Sequence, residues 1–225
     1  MEQYQFMPTR LAFDEGLGCL ERELQALGAT VVEAVGLAVH AAVTGDAALA
    51  QQVHQGDREV NEGLARVHRQ AVVLLATQQP TARDLRVILA ALISAIDLER
   101  VGDHAKGIAR NHLEGGDPLP DMAREGLLEL SALVQDMLRL ALAALANRDV
   151  QAARALAERD TTVDNRFQVL RARLLQAMAT EPQRASHLDA AEWCGKSLER
   201  VGDHATNIGE QIVFLCTGEV VELNG

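Results

Sequence analysis

The sequence predicts an all-α protein built as two tandem three-helix bundles, and three observations carry that prediction. The octapeptide Leu-Glu-Arg-Val-Gly-Asp-His-Ala stands at 98–105 and again, letter for letter, at 198–205. Hydrophobic residues make up 48% of the 225 residues but aromatics only 3%, so the core must be aliphatic, a composition that suits helices better than strands. Long stretches of apolar residues at helical spacing are interrupted only by short Gly, Pro, Asn or Asp punctuation. The duplication reaches beyond the octapeptide. The series Val53, Val60, Leu64, Val67, Ala71 maps at constant offset onto Leu156, Val163, Phe167, Leu170, Leu174, and Asp57 follows Asp46 at the same distance as Asp160 follows Asp149.

The first copy covers 1–113 and the second 121–225, with the Gly- and Pro-containing stretch 114–120 as linker. In the first copy, helices are expected over 10–44, 47–78 and 82–113, separated by Gly45-Asp46 and Gln79-Pro80-Thr81. In the second they are expected over 121–147, 150–180 and 184–216, separated by Asn147-Arg148-Asp149 and Glu181-Pro182. Asp46, Asp149 and Thr81 are suited to N-caps, where a side-chain oxygen accepts from an otherwise unpaired backbone N–H. Helices of ~30 residues, ~45 Å long, are stable only when packed side by side, which with short connections makes a bundle.

Charge and cysteine usage narrow the function classes. Lys+Arg 21 against Asp+Glu 32 gives a net charge of −11, which repels phosphate backbones and anionic lipid and favours cations as ligands. Nucleic acid is therefore not an expected partner. Cys19, Cys194 and Cys216 have no CxxC spacing, as expected in a reducing compartment. Met1-Glu2-Gln3-Tyr4-Gln5 lacks the basic lead-in of a secretory signal. The apolar run Val87–Ile96 falls short of the ~20 residues that span a bilayer, and Glu33 and His40 interrupt the other candidate. The expected location is the cytoplasm, without membrane insertion.

On a helix, Leu98, Val101, Ala105 and Ile108 fall on one face, as do Leu198, Val201, Ala205, Ile208 and Ile212. Glu99 with Asp103, and Glu199 with Asp203, lie one turn apart on the opposite side, so each repeat is expected to show a carboxylate pair on an accessible ridge. The middle helices carry a second pair, Asp57 with Asn61 and Asp160 with Asp164. In an antiparallel bundle the two pairs could face one spot, offering oxygen donors to Mg²⁺, Mn²⁺, Ca²⁺ or Fe³⁺. Acidic pairs such as Asp121/Glu125 also arise from composition alone, so recurrence inside identical octapeptides is what singles these out. Gly102 and Gly202 sit in mid-helix at a cost of ~1 kcal/mol each relative to Ala, which close approach of another helix or of a bound group would explain. His104 and His204 fall toward the core side and read as hydrogen-bonded, partly buried histidines.

The stretches Asp97-Leu98-Glu99-Arg100-Val101-Gly102-Asp103 and Ser197-Leu198-Glu199-Arg200-Val201-Gly202-Asp203 resemble the motifs of the PhoU family, as does Pro80-Thr81-Ala82-Arg83-Asp84-Leu85-Arg86 before the third helix. The resemblance covers nearly the whole chain. It implies a non-enzymatic, cytoplasmic negative regulator of phosphate uptake and of the phosphate-starvation response. The implied partners are the phosphate ABC transporter, through its ATPase subunit, and a sensor histidine kinase, with a homodimer as the assembly. It also implies metal clusters, iron first and Mg, Mn, Ca or Zn as alternatives, on Glu99, Asp103, Glu199, Asp203, Asp160, Asp164, Asp57 and Asn61. Asn61 departs from the aspartate of that pattern, so tighter binding or more ions are expected where Asp160 and Asp164 contribute. The competing class is a carboxylate-bridged di-iron enzyme. Such enzymes use Glu-x-x-His motifs that project into a bundle interior, whereas here each histidine follows its glutamate by five positions.

Overall fold

In a computed structural model, residues 9–78 and 80–224 are described, and the stretch Met1–Gln5 considered above as a leader lies outside them. The elements are helices α1 (Thr9–Thr44), α2 (Ala47–Gln78), α3 (Ala82–Gly115), α4 (Asp121–Asn147), α5 (Val150–Arg154), α6 (Leu156–Thr180) and α7 (Ala185–Thr217), with a 3₁₀ turn at Pro182–Arg184. Helices α1, α2 and α3 pack on one another, and α4, α5/α6 and α7 do likewise. The duplication is thus visible as two helical bundles. Equivalent helices then meet across the middle, α3 against α7 and α1 against α4, as an approximate two-fold relation requires.

The predicted boundaries hold to within two residues except at one place. Asp46 Oδ1 accepts from Leu49 N at 3.0 Å, and Asp149 Oδ1 accepts from Gln151 N and Ala152 N, so both N-caps form. Thr81 occupies the third cap position in extended backbone, but its side chain makes no cap hydrogen bond. The single helix expected over 150–180 is broken at Ala155, where ψ is −12°, and no Gly or Pro in the sequence marks the break. Gly45 (φ +79°) and Arg148 (φ +55°) hold equivalent left-handed positions after the first helix of each repeat.

One continuous hydrophobic cluster runs through both bundles. The stripes read from the octapeptides are part of it: Leu98, Val101, Ala105, Leu198, Val201, Ala205 and Ile208 are buried. Leu11–Thr44 is, by length and composition, apolar enough to cross a membrane, with a window hydropathy of 1.7. Its apolar residues are spent on the core instead, since Leu20, Leu24, Leu27, Val31, Val35, Ala38 and Val39 are all buried. Cys194 is buried in the core and desolvation pushes its thiol up to about 12.

Close approach between the bundles needs residues without side chains. At Gly107 on α3, a β-carbon would lie 2.8 Å from the ring of Trp193 on α7. Replacing Gly107 by Leu should lever the ring, already 38% exposed, toward solvent. Because Trp193 is the only tryptophan, the expected result is a red-shifted emission spectrum together with roughly 1–3 kcal/mol lost in denaturant titration. Unchanged emission and an unchanged midpoint would contradict this packing.

Candidate metal site

The mid-helix glycines explain how the carboxylates meet. A β-carbon at Gly202 would sit 3.0 Å from Asp160 Oδ1 and 3.6 Å from Val163, so the missing side chain lets α6 and its aspartate settle onto α7. At Gly102 the same approach brings Val60 of α2 to 2.8 Å. The middle helix of each repeat therefore lies over the Glu-x-x-x-Asp line of the last one.

That arrangement corrects the expectation of an accessible ridge. Asp160 is only 6% exposed, and Glu99, Glu199, Asp203, Asp57 and Asp164 are half-buried, leaving Asp103 and Asn61 as the exposed members. A wheel drawn for one helix cannot show the cover supplied by its neighbour. The side chains do share neighbourhoods, but among the described residues no group of three or more His, Cys, Asp or Glu is drawn together tightly enough to form a ready-made cage.

In the second repeat, like charges crowd a partly desolvated spot. Burial, and then the charges of Asp164, Asp203 and Glu199, push the Asp160 carboxyl up to about 7. Asp164 and Asp203 are raised as well, first by burial and then by Glu199, against the lowering effect of Lys196. Lys196 Nζ grips Glu199 at 2.5 and 2.6 Å, one turn along the same helix. Asp160 Oδ1 is buried with no hydrogen-bond partner. A buried oxygen in that state lacks the partner that native interiors nearly always supply. Four carboxylates, one of them with an orphaned oxygen, supply the kind of donor that a hard multivalent cation takes, and among the described residues no three of them are yet close enough to hold one.

The first repeat differs. Asp57 Oδ2 accepts from Lys106 Nζ at 2.5 Å and from Asn61 Nδ2 at 3.0 Å. Glu99 is raised, by burial and then by Asp103, with Arg100 opposing. This set has no orphaned oxygen of the kind seen at Asp160, and it does not fit a cation in the same way.

The histidines are occupied elsewhere. His204 Nδ1 donates to Asp97 Oδ1 of α3 at 2.9 Å, and the His104 ring packs against it at a 40° tilt with centroids 5.7 Å apart. Burial, His204 and the neighbouring Arg200 and Arg100 hold His104 down at about 4, so it is neutral at pH 7. Sequence reasoning assigned no role to Asp97, Lys106 or Lys196. Lys106 carried a legible signal, because it is the first residue after the identical octapeptide and is replaced by Thr206 in the second copy.

The PhoU domain family matches this chain twice, over residues 24–111 and 127–212. The chain belongs to the PhoU family. Phosphate-specific transport system accessory protein PhoU homologs are similar along nearly the whole length: that of Rhizobium meliloti is 36% identical over 92% of this chain and 88% of its own. The homolog of Pseudomonas putida is 36% identical over 95% and 84%. Among solved structures, PhoU from Pseudomonas aeruginosa superposes with a TM-score of 0.88 at 34% identity, covering 92% of this chain and 100% of that one. The phosphate transport system regulatory protein PhoU from Streptococcus pneumoniae gives 0.85 at 29% identity, covering 93% and 99%. The all-α PhoU fold with two repeats is therefore as the sequence predicted.

Proposed function

We propose that this chain is a non-enzymatic accessory regulator of a phosphate transport system. It restrains uptake and the starvation response by contacting the transporter's ATPase subunit and a sensor histidine kinase. The observation that supports this reading is the match of both repeats to the PhoU domain family and of the chain to relatives named phosphate-specific transport system accessory proteins. The same proposal includes dimerisation and a cation at the second repeat, held by Asp160, Asp164, Glu199 and Asp203. Such an ion, iron first among the candidates, supplies positive charge that cross-braces the helices bearing these side chains. What supports this location is that Gly202 admits Asp160 and that Asp160 brings an oxygen the fold leaves without a partner.

Two measurements test the proposal. Tagged protein should retain the ATPase subunit of the phosphate transporter in a pull-down, and failure to retain either that subunit or the kinase would remove the regulatory reading. Purified protein should carry metal by elemental analysis, and Glu199→Ala with Asp203→Ala should reduce it to background. Background content in both proteins would end the metal reading.

A further inference from the structure

Setting the two repeats side by side places Lys106 opposite Thr206 and Asn61 opposite Asp164. The consequences differ sharply between the sites. In the first, Lys106 Nζ and Asn61 Nδ2 both donate to Asp57 Oδ2, at 2.5 and 3.0 Å. Arg100 lies 3.8 Å from Glu99 and 3.6 Å from Asp103. Each carboxylate of this site thus has a cationic group of the chain within ion-pair range.

In the second site the corresponding hydroxyl, Thr206 Oγ1, turns away. Its single proton lies between two acceptors, Asp203 O of its own helix at 2.7 Å and Asn224 Oδ1. Lys196 reaches the cluster from a side chain 42% exposed and hydrogen-bonds Glu199. Asp160 Oδ1 stays unpartnered. Three carboxylates face two cationic side chains in the first site, whereas four face one in the second. An incoming ion feels the summed charge, so the first site attracts it much less. To enter there it must also displace an ammonium already in contact, leaving that ammonium unpaired beside like charge.

We propose that in this chain the ammonium of Lys106 has taken the place of a bound cation in the first repeat, so that multivalent ions load on the second repeat alone. The inference rests on the metal reading above. It makes one half of the molecule permanently braced by the chain's own cations and the other half responsive to ion supply.

The test is equilibrium dialysis of the chelator-treated full chain against Mn²⁺, with bound manganese per chain measured by elemental analysis. Asp57→Asn with Glu99→Gln should leave bound Mn²⁺ unchanged, and Asp160→Asn with Asp164→Asn should remove it. Installing the second repeat's residues in the first, Asn61→Asp with Lys106→Thr, should roughly double it, because a fourth carboxylate is gained and the tethered cation lost. Loss of Mn²⁺ in the Asp57/Glu99 variant would overturn the inference while leaving the metal reading standing. No gain in the Asn61/Lys106 variant, with its helical circular dichroism intact, would overturn it likewise. Absence of bound Mn²⁺ from the unaltered chain is a separate result that would overturn the metal reading and this inference with it.

Discussion

Replacing Asp160 by Asn is expected to stabilise the metal-free protein and, in the same molecule, to abolish stabilisation by added Mn²⁺. The side chain is 6% exposed, one oxygen has no partner, and three further carboxylates act on it. Ionised, it suffers both desolvation and like-charge repulsion; an amide of the same shape suffers neither to that degree. In chelator at pH 8 the gain should be roughly 1–3 kcal/mol, read as a higher urea midpoint. The pH dependence has a fixed sign. Because the folded-state carboxyl is raised to about 7 from the ordinary aspartate range, the folded protein holds a proton that the unfolded chain has released. The contribution to stability is therefore full below the unfolded-state value and is lost as pH climbs through about 7. The advantage of the Asp160→Asn protein over the unaltered chain should shrink toward pH 4. With Mn²⁺ present the ranking should invert, since ligand binding to the folded state adds stability only where the carboxylate remains to hold the ion. A destabilised Asp160→Asn protein in chelator would show instead that the carboxylate is needed for the fold itself.

Much of this architecture was written plainly in the chain. The identical octapeptides revealed the duplication, and period 3.6 placed Leu98, Val101, Leu198 and Val201 in the core, where they are. Asp46 and Asp149 announced their helix starts by being acceptors next to apolar runs. Gly102 and Gly202 marked close approach of the middle helix, as a β-carbon at either would collide with α2 or α6. The depth of the acidic residues was not legible. Solvent exposure depends on how far α6 rides over α7, and helical spacing fixes a direction without fixing that cover. Asp160 is consequently named by its spacing as a candidate ligand, with nothing in the chain to show that it is buried. The break at Ala155 was invisible because it carries no Gly or Pro. The inter-bundle contacts of Gly107 with Trp193 and of Asp97 with His204 were hidden for a further reason. They join positions about a hundred residues apart, which local periodicity does not pair.

Asp97→Ala is expected to cost about 2–4 kcal/mol, among the largest losses available to any single polar substitution here. Asp97 is 8% exposed and sits just ahead of the first octapeptide, on α3, facing the other bundle. Its Oδ1 accepts from His204 Nδ1 at 2.9 Å and from Asn207 Nδ2 at 3.0 Å, both on α7. Asn207 Oδ1 in turn accepts from Asn224 Nδ2 at 3.2 Å, so the carboxylate ties α3 to α7 and, through α7, to the C-terminal segment. Removing it strands two donors in a half-buried interface and leaves a void as well. The counterpart position in the second repeat holds Ser197, whose hydroxyl donates to Trp193 O of its own helix, so no equivalent bridge runs the other way. The two-fold likeness of this bridge is thus broken at two positions, Ser197 standing opposite Asp97 and Gly107 opposite Asn207, and His104 is left to pack against His204 without a carboxylate of its own. Asp97→Asn keeps an acceptor oxygen and should lose less than Asp97→Ala. A double-mutant cycle with His204→Ala should give a coupling of about 1–2 kcal/mol, because the second deletion removes a donor that the first had already orphaned. Additive losses would mean that Asp97 matters for packing alone. A loss below about 0.5 kcal/mol would mean that water replaces the carboxylate, and that the apolar core alone holds the bundles together.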